Sequence, residues 1–277
     1  MSVEKRLKRL LIGKKTHIQF MSDLHLENTG YDFEIPRNAP YLLLSGDIGR
    51  FSDWESYQRF LLVQSVKFDQ VLLVAGNHEF YGTSYDAGLR AAKKIADDPR
   101  MERKFVFLHR RRFDIPNTNI TVLGCTLQSQ IDPTCQRRTN DFVRIQGWSI
   151  ERHNEEHRLD VEWLQRTLSE ISKTEPQRKI IVATHYAPAF EKTCHPLHEY
   201  NDVSQCFCSH TLKLLSKWDG ARQITHWIFG HTHWNAKFNC GPTTILSNQQ
   251  CNNADALSWW RLRTLYRSFD ISAVIKI

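Results

Sequence analysis

Aspartate, asparagine and histidine recur at one kind of position in this chain, directly after a short apolar run. Asp23 and His25 follow the run at residues 17–22. Asp47 follows residues 41–45 across Gly46, and Asn77 and His78 follow residues 71–75 across Gly76. His185 follows residues 179–184, and His231 and His233 follow residues 226–229 across Gly230. A lone Asp-x-His is common by chance, and a lone buried histidine is more often a satisfied core residue than a ligand. Five such deliveries behind five apolar runs are hard to ascribe to packing, because unpaired polar groups are costly to bury.

These side chains suit one kind of chemistry. Two divalent ions about 3.5–4 Å apart clamp the attacking and leaving oxygens of a phosphoryl group. Such a pair calls for a bridging carboxylate, with imidazoles and carbonyl oxygens completing the shells. Two carboxylates leave two divalent ions with a surplus of about two positive charges, enough for a hydroxide and a phosphate. An all-carboxylate cage would repel that substrate. Glycines beside Asp47, Asn77 and His231 allow sharp turns at crowded points.

The apolar runs themselves predict the elements that carry these residues. Residues 17–22, 41–45, 71–75, 105–108, 120–125, 179–184, 226–229, 243–246 and 273–275 are short, rich in β-branched residues and bounded by polar or glycine turns. They read as buried strands. Helical spacing of apolar residues appears over 54–68, with Ser52 or Asp53 as cap, over 87–96, and most strongly over 155–171. There Leu159, Val161, Leu164, Leu168 and Ile171 form one stripe. Alternation of strand and helix predicts an α/β fold with sheets between helices. In such sheets the C-terminal strand ends are where ligands bind. Residues 126–154 and 188–210 are long and irregular but hold aromatic and histidine residues, so both are expected as ordered flaps near the site.

Composition narrows the class further. Hydrophobic residues make up 41% and charged residues 24%, which excludes a disordered or fibrous chain. With no repeat or Pro/Gly-rich linker, one domain over residues 1–277 is the simplest division. The formal charge of +7 is compatible with a phosphate-rich partner. Much of it lies in Lys5, Arg6, Lys8, Arg9, Lys14 and Lys15, and in Arg110, Arg111 and Arg112, both of which can equally be solvated chain. The seven cysteines are odd in number and irregularly spaced, and the charged first fifteen residues do not form a secretory signal. Free thiols in a reducing, cytoplasmic or nuclear compartment are therefore expected. Cys206-Phe-Cys208 lacks the second pair that a structural zinc site needs. No apolar run approaches the ~20 residues that span a bilayer, so no membrane association is expected.

In order, Asp23-x-His25, Gly46-Asp47, Gly76-Asn77-His78-Glu79, His185 and Gly230-His231-Thr232-His233 resemble the signature of the calcineurin-like metallophosphoesterase superfamily. The resemblance implies a four-layer αββα sandwich with two mixed β-sheets flanked by helices. It implies two metal ions (Mn, Fe, Zn or Co), the first held by Asp23, His25 and His233, the second by Asn77, His185 and His231, with Asp47 bridging. It further implies attack by a hydroxide shared between the metals, and protonation of the leaving oxygen by His78. The serine/threonine protein phosphatase branch extends the second motif and places Arg before the third. Here Ile48-Gly49-Arg50 follows Asp47, and Ala75 precedes Gly76. Purple acid phosphatases have Tyr where Arg50 stands, and the lariat debranching enzymes have Cys where Asp23 stands. The cyclic-nucleotide phosphodiesterase-like branch fits the motif strings best. Residues 140–142 and 148–163 also resemble uncharacterised fungal members.

Selectivity must then come from the flaps. His153 and His157, four apart, are candidates for a phosphate or ribose contact, or for a capping role. Phe80, Tyr81, Tyr186 and Trp234 each follow a motif and could stack on a base or wall the metal site. Asn248, Gln249 and Gln250 could hydrogen-bond a ligand. The expected activity is hydrolysis of a phosphate ester, a phosphodiester or nucleotide ahead of a phosphoprotein. The alternatives are a nuclease on DNA or RNA, a phosphomonoesterase and a non-catalytic scaffold.

Overall fold

The computed structural model describes residues 16–250 and 267–277. The basic cluster from Lys5 to Lys15, and Cys251, lie outside the described residues. Among the described residues eleven strands run in chain order: β1 (His17–Met21), β2 (Tyr41–Ser45), β3 (Gln70–Val74), β4 (Phe105–Phe107), β5 (Arg111–Asp114), β6 (Ile120–Cys125), β7 (Lys179–Thr184), β8 (Ile224–Phe229), β9 (Lys237–Cys240), β10 (Thr243–Ser247) and β11 (Val274–Lys276). They form two sheets, ordered β11-β1-β2-β3-β4 and β5-β6-β7-β8-β10-β9. In the first, β1 to β4 are parallel and β11 joins antiparallel. In the second, β6, β7, β8 and β10 are parallel, with β5 and β9 antiparallel at the edges. The expected pair of mixed sheets flanked by helices is present.

Strand alternation explains the layers. Leu42, Leu44, Val71 and Leu73 face an outer core with helices α2 (Trp54–Lys67) and α3 (Tyr85–Ala96). The intervening Leu43, Leu72 and Val74 face inward and meet Val122, Ile181, Ala183 and Ile228 of the second sheet. On the far side of that sheet Leu123, Ile180, Val182, Trp227 and Phe229 pack with helices α5 (Ile150–Thr174) and α6 (Thr211–Leu215). Strands buried on both faces read as continuous apolar runs, which is why they stood out in the sequence. Two short helices, α1 (Leu26–Thr29) and α4 (Asp141–Arg144), lie beside the motifs and in the first flap.

Three differences from the sequence expectation have physical causes. Helix α5 starts at Ile150, capped by Ser149, because the buried face of its first turns is polar: His153, Glu156 and Asp160. An apolar stripe cannot reveal such a face. Arg110 to Arg112 are not a solvated loop. Arg110 Nη1 lies 2.8 Å from both Glu156 and Asp160, and Arg112, on β5, reaches Glu175 at 2.6 Å. Asp53 caps no backbone amide; its carboxylate instead accepts the Tyr31 hydroxyl at 2.9 Å. No helix among the described residues is long and apolar enough to cross a membrane.

Candidate metal centre

The parallel strands of both sheets end on one side of the molecule, and the sheets are stitched together there. Ser22 N–H donates to Asn248 and Gln250 N–H donates to Ser22, each at 3.0 Å, linking the end of β1 to the end of β10. Gly230 N–H donates to the His185 carbonyl at 2.8 Å, joining the loops after β7 and β8. Every residue of the five motifs leaves a strand at this seam.

The backbone is held in unusual conformations there. Asp23, His25, Asp47, His231 and His233 all have positive φ, between 48° and 71°. Left-handed backbone in non-glycine residues costs energy and persists where surroundings enforce it, commonly at functional sites. Gly76 has a different duty. A Cβ there would stand 2.2 Å from Asp47 Oδ1 and 2.6 Å from His185 Nε2, so the position needs glycine for close approach.

The side chains converge into two trios. Asp23, His25 and His233 bring ligand atoms within 4.8 Å of one another, as do Asp47, His185 and His231. Asp47 also forms such a group with His25 and His78, so its carboxylate stands between the two trios. His25 Nε2 and His233 Nε2 are 3.1 Å apart, as are His185 Nε2 and His231 Nδ1. Asn77 Oδ1 lies 3.2 Å from His185 Nε2. Asn77 thus stands beside the second trio, and Asp47 lies within reach of residues from both.

The nitrogens facing away from the centre are anchored. His185 Nδ1 meets the Ser45 carbonyl at 3.0 Å and His231 Nε2 meets the Cys206 carbonyl at 3.3 Å. A carbonyl can only accept, so each ring carries a proton on that nitrogen and presents its other nitrogen, the one a cation would take, to the centre. His25 Nδ1 faces Glu27 at 3.4 Å in the same sense. This donor set of imidazole nitrogens and carboxylate or amide oxygens fits Mn, Fe, Zn or Co. Burial opposes charging of His185, yet the Asp47 carboxylate outweighs it and lifts its pKa to about 9. His25 also rises to about 9, against burial, through Glu27, Asp47 and Asp23. His231 is driven well down, first by burial and then by its neighbour His185.

His78 stands apart from both trios. Its Nδ1 lies 2.7 Å from Glu27 Oε1, its ring packs against Tyr81 and His25, and its side chain remains partly exposed. Glu27 is itself buried, and its pKa falls to about 2 because hydrogen bonds from His25 and His78 outweigh burial. A histidine so held keeps Nε2 as its remaining proton-carrying atom.

The other candidate residues have varied placements. Tyr186 is fully buried, its ring 4.1 Å from that of His231 and its hydroxyl on Asp141. Tyr81 also donates its hydroxyl to Asp141. Both wall the centre from behind. His153 is buried against Ser129 and Trp148, and His157 meets the Gln128 carbonyl, so both brace the first flap. Trp234 is nearly buried beside His195. Gln249 accepts the His233 N–H at 2.6 Å and donates to the Trp234 carbonyl, bracing the last motif. Glu27, Glu79 and Asp141 were given no role in the sequence. Glu27 was visible in principle, since Asp23-x-His25-x-Glu27 places it two positions past a motif residue. Asp141 lies in the stretch 140–142 that resembles uncharacterised fungal members, which marks the segment but gives the carboxylate no role.

A model of the calcineurin-like phosphoesterase family matches residues 16–235. The chain belongs to that family, and it is a metal-dependent phosphoester hydrolase. It is similar to an uncharacterised protein of Acanthamoeba polyphaga mimivirus, 24% identical over 267 residues, covering 84% of this chain and 90% of the relative. A solved structure of phosphopantetheinyl hydrolase from Mycobacterium tuberculosis shares the fold with TM-score 0.63, at 14% identity, over 96% of each chain. A dimetal phosphatase from Danio rerio aligns with TM-score 0.49, at 14% identity, over 84% of this chain and 86% of that one.

Proposed function

We propose that this chain hydrolyses a phosphodiester or a nucleotide-like phosphate ester, with His78 protonating the leaving oxygen. The observation that carries it is Asp47, whose carboxylate groups with His185 and His231 on one side and with His25 and His78 on the other. Asp23, His25 and His233 would hold one metal ion, and Asn77, His185 and His231 the other, with Asp47 shared. Bound divalent cations would place positive charge against the phosphoryl oxygens and acidify a water molecule. The imidazoles anchored through Ser45 and Cys206 keep their other nitrogens, the ones a cation would take, directed inward. Glu27 holds the His78 ring and stabilises its charged form, as a general acid requires.

A diester is favoured over a phosphoprotein monoester because a dianion wants nearby cations. Two arginines near the site already face its own residues: Arg50 Nη2 lies 3.9 Å from the Glu27 carboxylate, and the exposed Arg144 stands over the Tyr81 ring. The protein-phosphatase arginines are absent from the motifs. A long nucleic acid is less well supported. Residues 1–15 hold six Lys or Arg against one Glu, net +5 of the +7, so residues 16–277, which carry the site, keep a net excess of only +2.

The test compares bis-p-nitrophenyl phosphate with p-nitrophenyl phosphate in the manganese-loaded full chain, beside Asn77→Ala and His78→Ala. Faster cleavage of the diester, abolished in Asn77→Ala, is expected. Faster cleavage of the monoester would refute the diester preference. No turnover of either ester with both metal sites filled would refute the substrate class.

A further inference from the structure

We propose that Asp141 is the positioning residue that fixes which end of Asn77 faces the metal centre. This rests on Asn77 being a ligand. An asparagine side chain has an oxygen that can hold a cation and a nitrogen of nearly the same shape that cannot. Something must set its direction.

The first flap supplies it. Asn77 Nδ2 donates to Asp141 Oδ1 at 2.8 Å and to the Tyr81 hydroxyl at 3.0 Å. The Tyr81 hydroxyl in turn donates to the same Oδ1 at 2.7 Å, so its lone pair is what faces Asn77. That carboxylate oxygen, which accepts the Tyr81 hydroxyl, accepts the Asn77 amide as well. One amide proton is therefore directed at Asp141 of the flap and the other at Tyr81, and Oδ1 is left toward His185. A reversed Asn77 would set its oxygen against the carboxylate and abandon both bonds. The other oxygen of Asp141 accepts the Tyr186 hydroxyl at 3.0 Å, and that ring stands against His231. That second bond fixes the carboxylate's own orientation, so Oδ1 stays turned to Asn77.

Asp141 is 1% exposed, and its neighbours Asn77, Tyr81 and Tyr186 are neutral donors. Burying a carboxylate among neutral donors is expensive for folding alone. Beside a centre of positive charge the same carboxylate is compensated. Residues 126–154 then do more than cover the site: they carry one acid into it.

The experiment is a double-mutant cycle on cobalt affinity in the full chain, read by visible absorption and calorimetry, with melting of the metal-free protein alongside. Asn77→Ala should weaken one of two cobalt ions. Asp141→Ala should weaken the same ion by about 10–100-fold, the usual scale for partners behind a ligand. In the Asn77→Ala background Asp141→Ala should add less than about twofold, because its effect runs through Asn77. Full additivity would overturn the proposal, as would an Asp141→Ala protein that melts lower but binds cobalt as the parent does. If Asn77→Ala itself binds both ions normally, the ligand assignment fails and the proposal with it. Should Asp141→Ala not fold, the exchange Asn77→Asp with Asp141→Asn decides. Asn77→Asp alone sets two carboxylates together and should lose cobalt affinity; adding Asp141→Asn restores a donor and should recover it. No recovery overturns the proposal.

Discussion

Removing the Glu79 carboxylate should cost more stability than removing any single core methyl group, although Glu79 is a charged residue in a buried place. Its Oε2 accepts the backbone N–H of Asp47 at 2.8 Å and of Gly76 at 2.6 Å. Its Oε1 accepts Ile48 N–H and the Tyr57 hydroxyl, both at 2.9 Å, and more weakly Gly49 N–H at 3.4 Å. One side chain therefore closes the loops after β2 and β3, which carry Asp47 and Asn77. Each buried donor stripped of its acceptor costs about 1–3 kcal/mol. Four strong bonds at the low end of that range give about 4–6 kcal/mol, and relief of the buried carboxylate returns some, for a net of about 3–5 kcal/mol. Glu79→Gln keeps the shape but turns an amide toward two of the backbone donors, and should cost about 2–4 kcal/mol. Tyr57→Phe removes one donor and leaves the carboxylate four others, so about 1 kcal/mol is expected. Against a typical total of about 5–15 kcal/mol, Glu79→Ala should be close to unfolding. Urea denaturation of the metal-free chain measures all three. A Glu79→Ala loss below that of Tyr57→Phe would refute the reasoning, since it would mean that water replaces the carboxylate freely.

Three further outcomes are expected. Gly76→Ala places a methyl 2.2 Å from Asp47 Oδ1 and 2.6 Å from His185 Nε2; it should lower metal stoichiometry with every proposed ligand still present, and unchanged metal content would contradict the geometry. Glu27→Gln should slow esters with alkoxide leaving groups by about 10–100-fold and p-nitrophenyl esters far less, because a good leaving group needs little general-acid help; equal losses across leaving groups would remove Glu27 from support of His78. The buried His153 has its pKa pushed down to about 4, first by burial; Trp148 Nε1–H donates to its Nδ1, so Nε2 carries the ring proton and meets the Ser129 hydroxyl oxygen at 3.1 Å. Its folded pKa is below the unfolded value of about 6.5, so its contribution is complete above that pH and is lost as pH falls toward 4. Between these values the unfolded chain binds the extra proton, and stability should fall by up to about 1.4 kcal/mol per pH unit. His153→Gln should flatten that part of the curve, and an unchanged slope would exclude His153 as its source.

What the sequence could and could not reveal follows from where each partner lies along the chain. Asp23, His25, Asp47, Asn77, His185, His231 and His233 each sit one or a few residues beyond a doubly buried strand, so local pattern alone gathers them at one sheet edge. The groups that hold them come from far away. Asp141 is 64 residues from Asn77, and the Cys206 carbonyl is 25 residues before the His231 ring it anchors. Edge strands β5 and β9 escaped notice because half-exposed strands such as Arg111–Asp114 lack the apolar run that marked the others. The early turns of α5 escaped because their buried face, His153, Glu156 and Asp160, meets Ser129, Arg110 and Leu127 N–H instead of apolar neighbours. Gly46, Gly76 and Gly230 admit the crowded side chains and Gly46 is itself left-handed at φ 90°, but most of the left-handed backbone falls on Asp23, His25, Asp47, His231 and His233 themselves. Strain of that kind is invisible in residue types. The carboxylate of Glu79 and the side chain of Gln249 hold two of the amides concerned, those of Asp47 and His233, so the stability of the fold and the geometry of the centre share buried polar groups.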